Sequence, residues 1–99
     1  MMKFILIGII VTFNIIFADN FQIKYQEENY TFKVSYSEVV IEANNVVQFR
    51  GHTDKNGKIT INLEPGHYTC KVNYRRIWMR ADIIIDHSNH LKIIYLKNE

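Results

Sequence analysis

Ninety-nine residues with twelve Lys and Arg, ten Asp and Glu and a formal net charge of +2 are enough for one small domain and too few for two. The near balance of charge excludes the basic footprint of a nucleic-acid binder. A single cysteine, Cys70, excludes an intramolecular disulfide framework and any multi-cysteine zinc site.

The chain opens on an apolar, uncharged run, residues 4–17, preceded by Lys3 and followed by Ala18 and the first acidic residue, Asp19. A charged start, a short apolar stretch and a small residue at the junction read as a secretory signal peptide over residues 1–18. The run falls short of the ~20 residues that span a bilayer core. Cleavage after Ala18 is the expectation, with an uncleaved N-terminal anchor and a buried helix as the alternatives. No cysteine near the junction offers a lipid anchor. The expected product is a secreted or periplasmic protein, residues 19–99, forming one domain and touching a membrane only if the leader stays attached.

Beyond the leader every segment reads as strand. Phe21, Ile23 and Tyr25 alternate with polar residues, as do Phe32, Val34 and Tyr36 within residues 30–36, the period-two pattern of a half-buried strand. Residues 39–43 and 46–50 flank Asn44-Asn45, a two-residue turn that asparagine tolerates. Gly51-His52-Thr53-Asp54-Lys55-Asn56-Gly57 then precedes residues 58–63, where Ile59, Ile61 and Leu63 alternate with Lys58, Thr60 and Asn62. Glu64-Pro65-Gly66-His67 is a second turn, leading into the alternation Tyr68, Cys70, Val72, Tyr74. Residues 77–85 place Ile77, Met79, Ala81, Ile83 and Ile85 on one face, and residues 91–96 follow the polar turn His87-Ser88-Asn89-His90. Seven or eight short strands at this spacing predict an antiparallel sandwich or barrel. The expected core is Ile59, Ile61, Leu63, Tyr68, Cys70, Val72, Ile83, Ile85, Leu91 and Ile93. Ile93 to Leu96 is apolar on both faces, a segment suited to extending a partner's sheet edge.

The string from Gly51 to Tyr68 resembles the carboxypeptidase regulatory-like domains of the transthyretin-like (prealbumin-like) sandwich group. Thr53, Asp54 and Gly57 match the turn between strands, Ile59, Ile61 and Leu63 the inward strand, and Pro65, Gly66 and Tyr68 the second turn with its core tyrosine. The resemblance implies an all-β, small antiparallel Greek-key β-sandwich of about seven strands. It also implies a non-catalytic module that adheres, spaces or supports folding. One departure is the absence of a glycine-aromatic turn after this strand: Asn73-Tyr74-Arg75-Arg76-Ile77-Trp78 predicts a longer or differently shaped connection.

The chemistry motifs point the same way. Hydrolases of the urate pathway in the same group end in a Tyr-Arg-Gly-Ser type tail, whereas this chain ends Tyr95-Leu96-Lys97-Asn98-Glu99. No His-Glu-x-x-His spacing occurs, and nothing sets a histidine beside Cys70 for nucleophilic work. His87 and His90, like His52 and His67, read as exposed turn histidines, since a zinc or copper site needs further ligands. Asn29-Tyr30-Thr31 matches a glycosylation acceptor, a pattern expected once by chance among this many asparagines. An intramolecular isopeptide bond would draw on Lys24 or Lys33, both opposite the apolar face. The sequence therefore predicts no enzyme, no metal and no cofactor.

The candidate binding residues are Tyr74, Arg75, Arg76, Trp78 and Arg80. On a strand-connecting tip, Tyr74 and Trp78 offer flat apolar faces to a sugar or peptide while the arginines read carboxylate or phosphate groups. The competing reading is structural, with both rings covering the core edge under arginine stems. The expected function is an exported binding or adhesion module for a carbohydrate, peptide or envelope component. Its alternative is a structural accessory that pairs with another envelope or secreted protein through a sheet edge. The partner is accordingly a protein or glycan at the cell surface, with oligomeric state open.

Overall fold

The computed structural model describes residues 18–96, all strand and connections with no helix. Residues 1–17, the expected leader but for Ala18, and residues 97–99 lie outside the described residues. Eight strands follow in order: β1 Asp19–Glu27, β2 Tyr30–Lys33, β3 Glu38–Ala43, β4 Val46–His52, β5 Lys58–Ile61, β6 Gly66–Tyr74, β7 Ile77–Ile85 and β8 Lys92–Leu96. They form two four-stranded sheets.

In the first sheet β1 is central. One of its edges pairs antiparallel with β5 along Asp19 to Gln22 and with β2 along Lys24 to Glu27. Between them, Ile23 donates its amide to the Gly57 carbonyl at 2.8 Å and accepts from the Val34 amide at 3.0 Å. The 51–57 turn builds this junction. Asp54 Oδ1 accepts from the amides of Asn56 at 2.8 Å and Lys58 at 2.9 Å, an Asx turn that closes the loop on itself. Buried Thr53 donates its hydroxyl to Val34 O at 2.6 Å and accepts from the Ser37 amide at 2.9 Å. The loop after β4 is thereby tied to the connection between β2 and β3.

The other edge of β1 carries β8, and the pair is parallel. This corrects the expectation of a wholly antiparallel sandwich, which holds for every other pairing among the described residues. The second sheet runs β4-β3-β6-β7. Its hairpins turn on Asn44-Asn45 (φ 54° and 64°) and Arg75-Arg76 (φ 53° and 68°), two-residue connections whose left-handed backbone matches strand twist. The connection after β6 is thus shorter than the missing glycine predicted, with two arginines accepting a conformation that glycine or asparagine usually takes.

The two inner faces share one core. Phe21, Ile23, Tyr25, Ile59, Ile61, Ile94 and Leu96 from the first sheet meet Val39, Ile41, Cys70, Val72, Tyr74, Met79, Ile83 and Ile85 from the second, the two-layer solution for one-sided sheets. Leu63 and Tyr68 pack against this core only in part. Leu91 and Ile93, expected inside, are 41% and 45% exposed. The parallel register with β1 aligns Phe21 with Lys92, Ile23 with Ile94 and Tyr25 with Leu96, so the inward set is shifted by one residue and Ile93 and Tyr95 face outward. The second strand also stops at Lys33, short of Tyr36, which sits exposed in a turn at φ 50°.

Candidate functional site

The predicted 74–80 segment divides at the hairpin. Tyr74 is buried, its ring 5.2 Å from that of Tyr25, so it offers no flat face to solvent. The Arg75 guanidinium lies over Tyr74 at 5.0 Å and over Phe32 at 5.6 Å from the ring centroids, a cation–π clasp on the end of the sandwich. Arg76 is exposed at the turn. Trp78 and Arg80 belong elsewhere: β7 turns Met79, Ile83 and Ile85 inward and Trp78, Arg80 and Asp82 outward.

On that outer face, cross-strand register assembles a site the sequence reading missed. Arg50 of β4 stands opposite Val40 of β3, Val40 opposite Lys71 of β6, and Lys71 opposite Arg80 of β7. The neighbouring row runs His52, Glu38, Asn73, Trp78. The first row and Trp78 of the second frame a groove of about 420 Å³ lined by Val40, Glu42, Val47, Arg50, Lys71, Trp78, Met79 and Arg80. Val40 is only 5% exposed although it points away from the core, standing between Arg50 and Lys71 in the cross-strand row. Trp78 is 51% exposed. Lys71 pairs with Glu42 at 3.0 Å and Arg50 with Glu38 at 3.6 Å. Among the described residues Arg80 has no carboxylate within ion-pair distance. The sequence signal for this site is the pair of doubly apolar runs Val39-Val40-Ile41 and Val46-Val47, since a one-faced strand alternates.

A larger cleft of about 840 Å³ opens where the free edges of β4 and β5 diverge, with Phe49, Gly51 and Ile59 beneath and His52, Asp54, Lys58 and Thr60 at the rim. Asp54 and Thr60 at its rim are already engaged. The Lys58 amide bonded to Asp54 holds that carboxyl below its ordinary value, outweighing the opposing effect of burial, and Thr60 donates to Asn20 at 2.7 Å. Asp54 there serves to hold a turn, whereas the outer groove sets a half-exposed tryptophan two residues from an arginine.

A charged cluster sits at the start of β1. Asp19, fully buried, accepts from the amides of Asp86 at 3.1 Å and His87 at 3.0 Å and from Lys92 Nζ at 2.5 Å. Lys92 also donates to Asp86 and lies 5.4 Å from the Phe21 ring centroid. The bond from Lys92, followed by those from Ser88, holds the Asp86 carboxyl well below the usual carboxylate range. Burial works to lower the Lys92 pKa, but its bonds to Asp19 and Asp86 outweigh that and hold it above the ordinary 10.5. Lys24 and Lys33, by contrast, face each other across β1 and β2.

Burial pushes the Cys70 thiol up to about 12, which leaves no thiolate for nucleophilic work near neutrality. Among the described residues no group of three or more His, Cys, Asp and Glu converges to hold a metal ion. The His87 ring nitrogen Nε2 is 2.8 Å from the Leu63 carbonyl. No described helix is long and apolar enough to cross a membrane. No protein-family model matches the chain, and no curated protein is similar to it.

Proposed function

We propose that the chain is an exported, non-enzymatic binding module of the carboxypeptidase regulatory-like kind, freed of residues 1–18, which takes its ligand on the outer face of the β4-β3-β6-β7 sheet. The observation that carries the reading is Trp78, the one tryptophan of the chain, half exposed above a groove floored by Val40. A half-exposed indole with a buried apolar floor beside it is a platform for a flat apolar surface. A sheet that leaves β4 for the opposite layer and brings β6 back beside β3 supports a Greek-key assignment. An array of glycans and peptides probed with wild type and Trp78→Ala tests the reading. Wild type retains a set of features that the variant loses; equal retention by both places binding elsewhere.

A second reading, a structural accessory joined through a sheet edge, is favoured by β8. Among the described residues this strand pairs only with β1, and it turns Ile93 and Tyr95 outward, both about half exposed. An open apolar edge is a template for another strand. Light scattering on a size-exclusion column separates the two. A concentration-dependent dimer that Ile93→Lys abolishes supports the accessory role, and a monomer at every concentration removes its main support.

A further inference from the structure

Resting on the groove reading above, we infer that the ligand is an acidic saccharide, with sugar rings laid on Trp78 and a carboxylate taken by Arg80. The groove lies on a sheet face, not on an edge. Its floor strands β3 and β6 are each paired on both sides, so their backbone groups are committed to the ladder. A peptide laid there gains no main-chain ladder of the kind that drives strand addition. Side chains must supply all recognition.

Those side chains alternate in polarity. Lys71 beside Glu42 and Arg50 beside Glu38 present donors next to acceptors across the groove. A hydroxyl both donates and accepts, and a row of hydroxyls satisfies such a surface without displacing either ion pair. A polyanion finds one unpaired cation, Arg80, and has to compete with Glu42 and Glu38 for the other two. The indole complements the other half of a sugar, the apolar C–H face of the ring. The groove lining carries Glu42, Arg50, Lys71 and Arg80; with Lys71 paired to Glu42 and Arg50 to Glu38 outside the lining, the cation left without a carboxylate partner among the described residues is Arg80. Arg80 is two residues from Trp78 on the same side of β7, roughly 7 Å along the strand, within the span of one substituted ring. Guanidinium binds carboxylate through paired, charge-assisted bonds, so one uronate carboxyl per bound segment matches the site.

The test follows Trp78 emission of the full chain during titration with a galactose trisaccharide in which one ring is galacturonate, its wholly neutral galactose counterpart and a hexaglutamate peptide, with Arg80→Gln in parallel. Calorimetry covers Trp78→Ala, which lacks the reporter. A saturable emission change is expected with the uronate, about tenfold weaker binding of the neutral sugar, the loss of that preference in Arg80→Gln, and no binding of either sugar by Trp78→Ala. Equal affinity for both sugars, with Arg80→Gln indistinguishable from wild type, overturns the carboxylate assignment. Binding of the peptide but of neither sugar leaves the groove as the site and overturns the saccharide class. Silence of Trp78 towards all three probes overturns the saccharide inference, while loss of array features in Trp78→Ala still upholds the groove reading.

Discussion

Gly57 is fixed by backbone on both sides. Its φ is 76°, and a Cβ there would lie 2.7 Å from the Ile23 carbonyl oxygen and 3.1 Å from the Val34 amide nitrogen. Both atoms belong to the junction that spans β5 and β2, so neither retreats cheaply. Gly57→Ala is expected to destabilise by about 2–4 kcal/mol through left-handed strain and this contact, read as a lower urea midpoint with unchanged slope. Trp78→Ala is the opposite case. With half its surface in water and Asn73 opposite, its removal is expected to cost about 1 kcal/mol or less. A loss of ~3–5 kcal/mol, the range for a buried aromatic, would mean that the ring seals the core. The two residues differ in how far sequence reveals them. Turn chemistry is local, so Thr53-Asp54 and Gly57 are readable as a motif. Alternation set Trp78 opposite the core face of residues 77–85 and Tyr74 on the same face as Cys70 and Val72, against its place among the binding candidates, yet nothing local showed that the tip ends at Arg76.

At the scale of elements, β8 shows what alternation leaves undecided. Residues 93–96 are apolar at every position, so either face serves as the inner one. The choice is made by Lys92, whose ammonium reaches buried Asp19, seventy-three positions earlier in the chain, and sets Ile94 and Leu96 inward. This clamp gives stability a pH signature. Asp86 is held below its ordinary 3.8, so its contribution is present above that value and lost as pH falls through the lower folded value. Lys92 is held above its ordinary 10.5, so its contribution is present below that value and lost as pH rises through the higher folded one. The melting-temperature difference between wild type and Lys92→Met is therefore expected to be largest between these limits and to shrink at both ends. A difference independent of pH would mean that Lys92 acts through packing of its stem alone.

Over the whole molecule, two sheets bury one core and leave two unlike outer surfaces. One carries the open β8 edge with Ile93 and Tyr95; the other carries the groove with its paired charges. Layering and most strands follow from periodicity and turn residues. The groove does not, because Val40, Arg50, Lys71 and Arg80 lie on four different strands and meet only through register, which a bulge between Ile41 and Glu42 adjusts on the β4 side. The central claim is that this face is the ligand surface. Amide and indole chemical shifts recorded while the trisaccharide with one galacturonate ring is added decide whether it is. Saturable shifts are expected at Trp78, its indole included, and at Val40, Lys71 and Arg80, with β1 and β8 unmoved. Shifts confined to β8, or to the cleft beside Phe49 and Ile59, would contradict it.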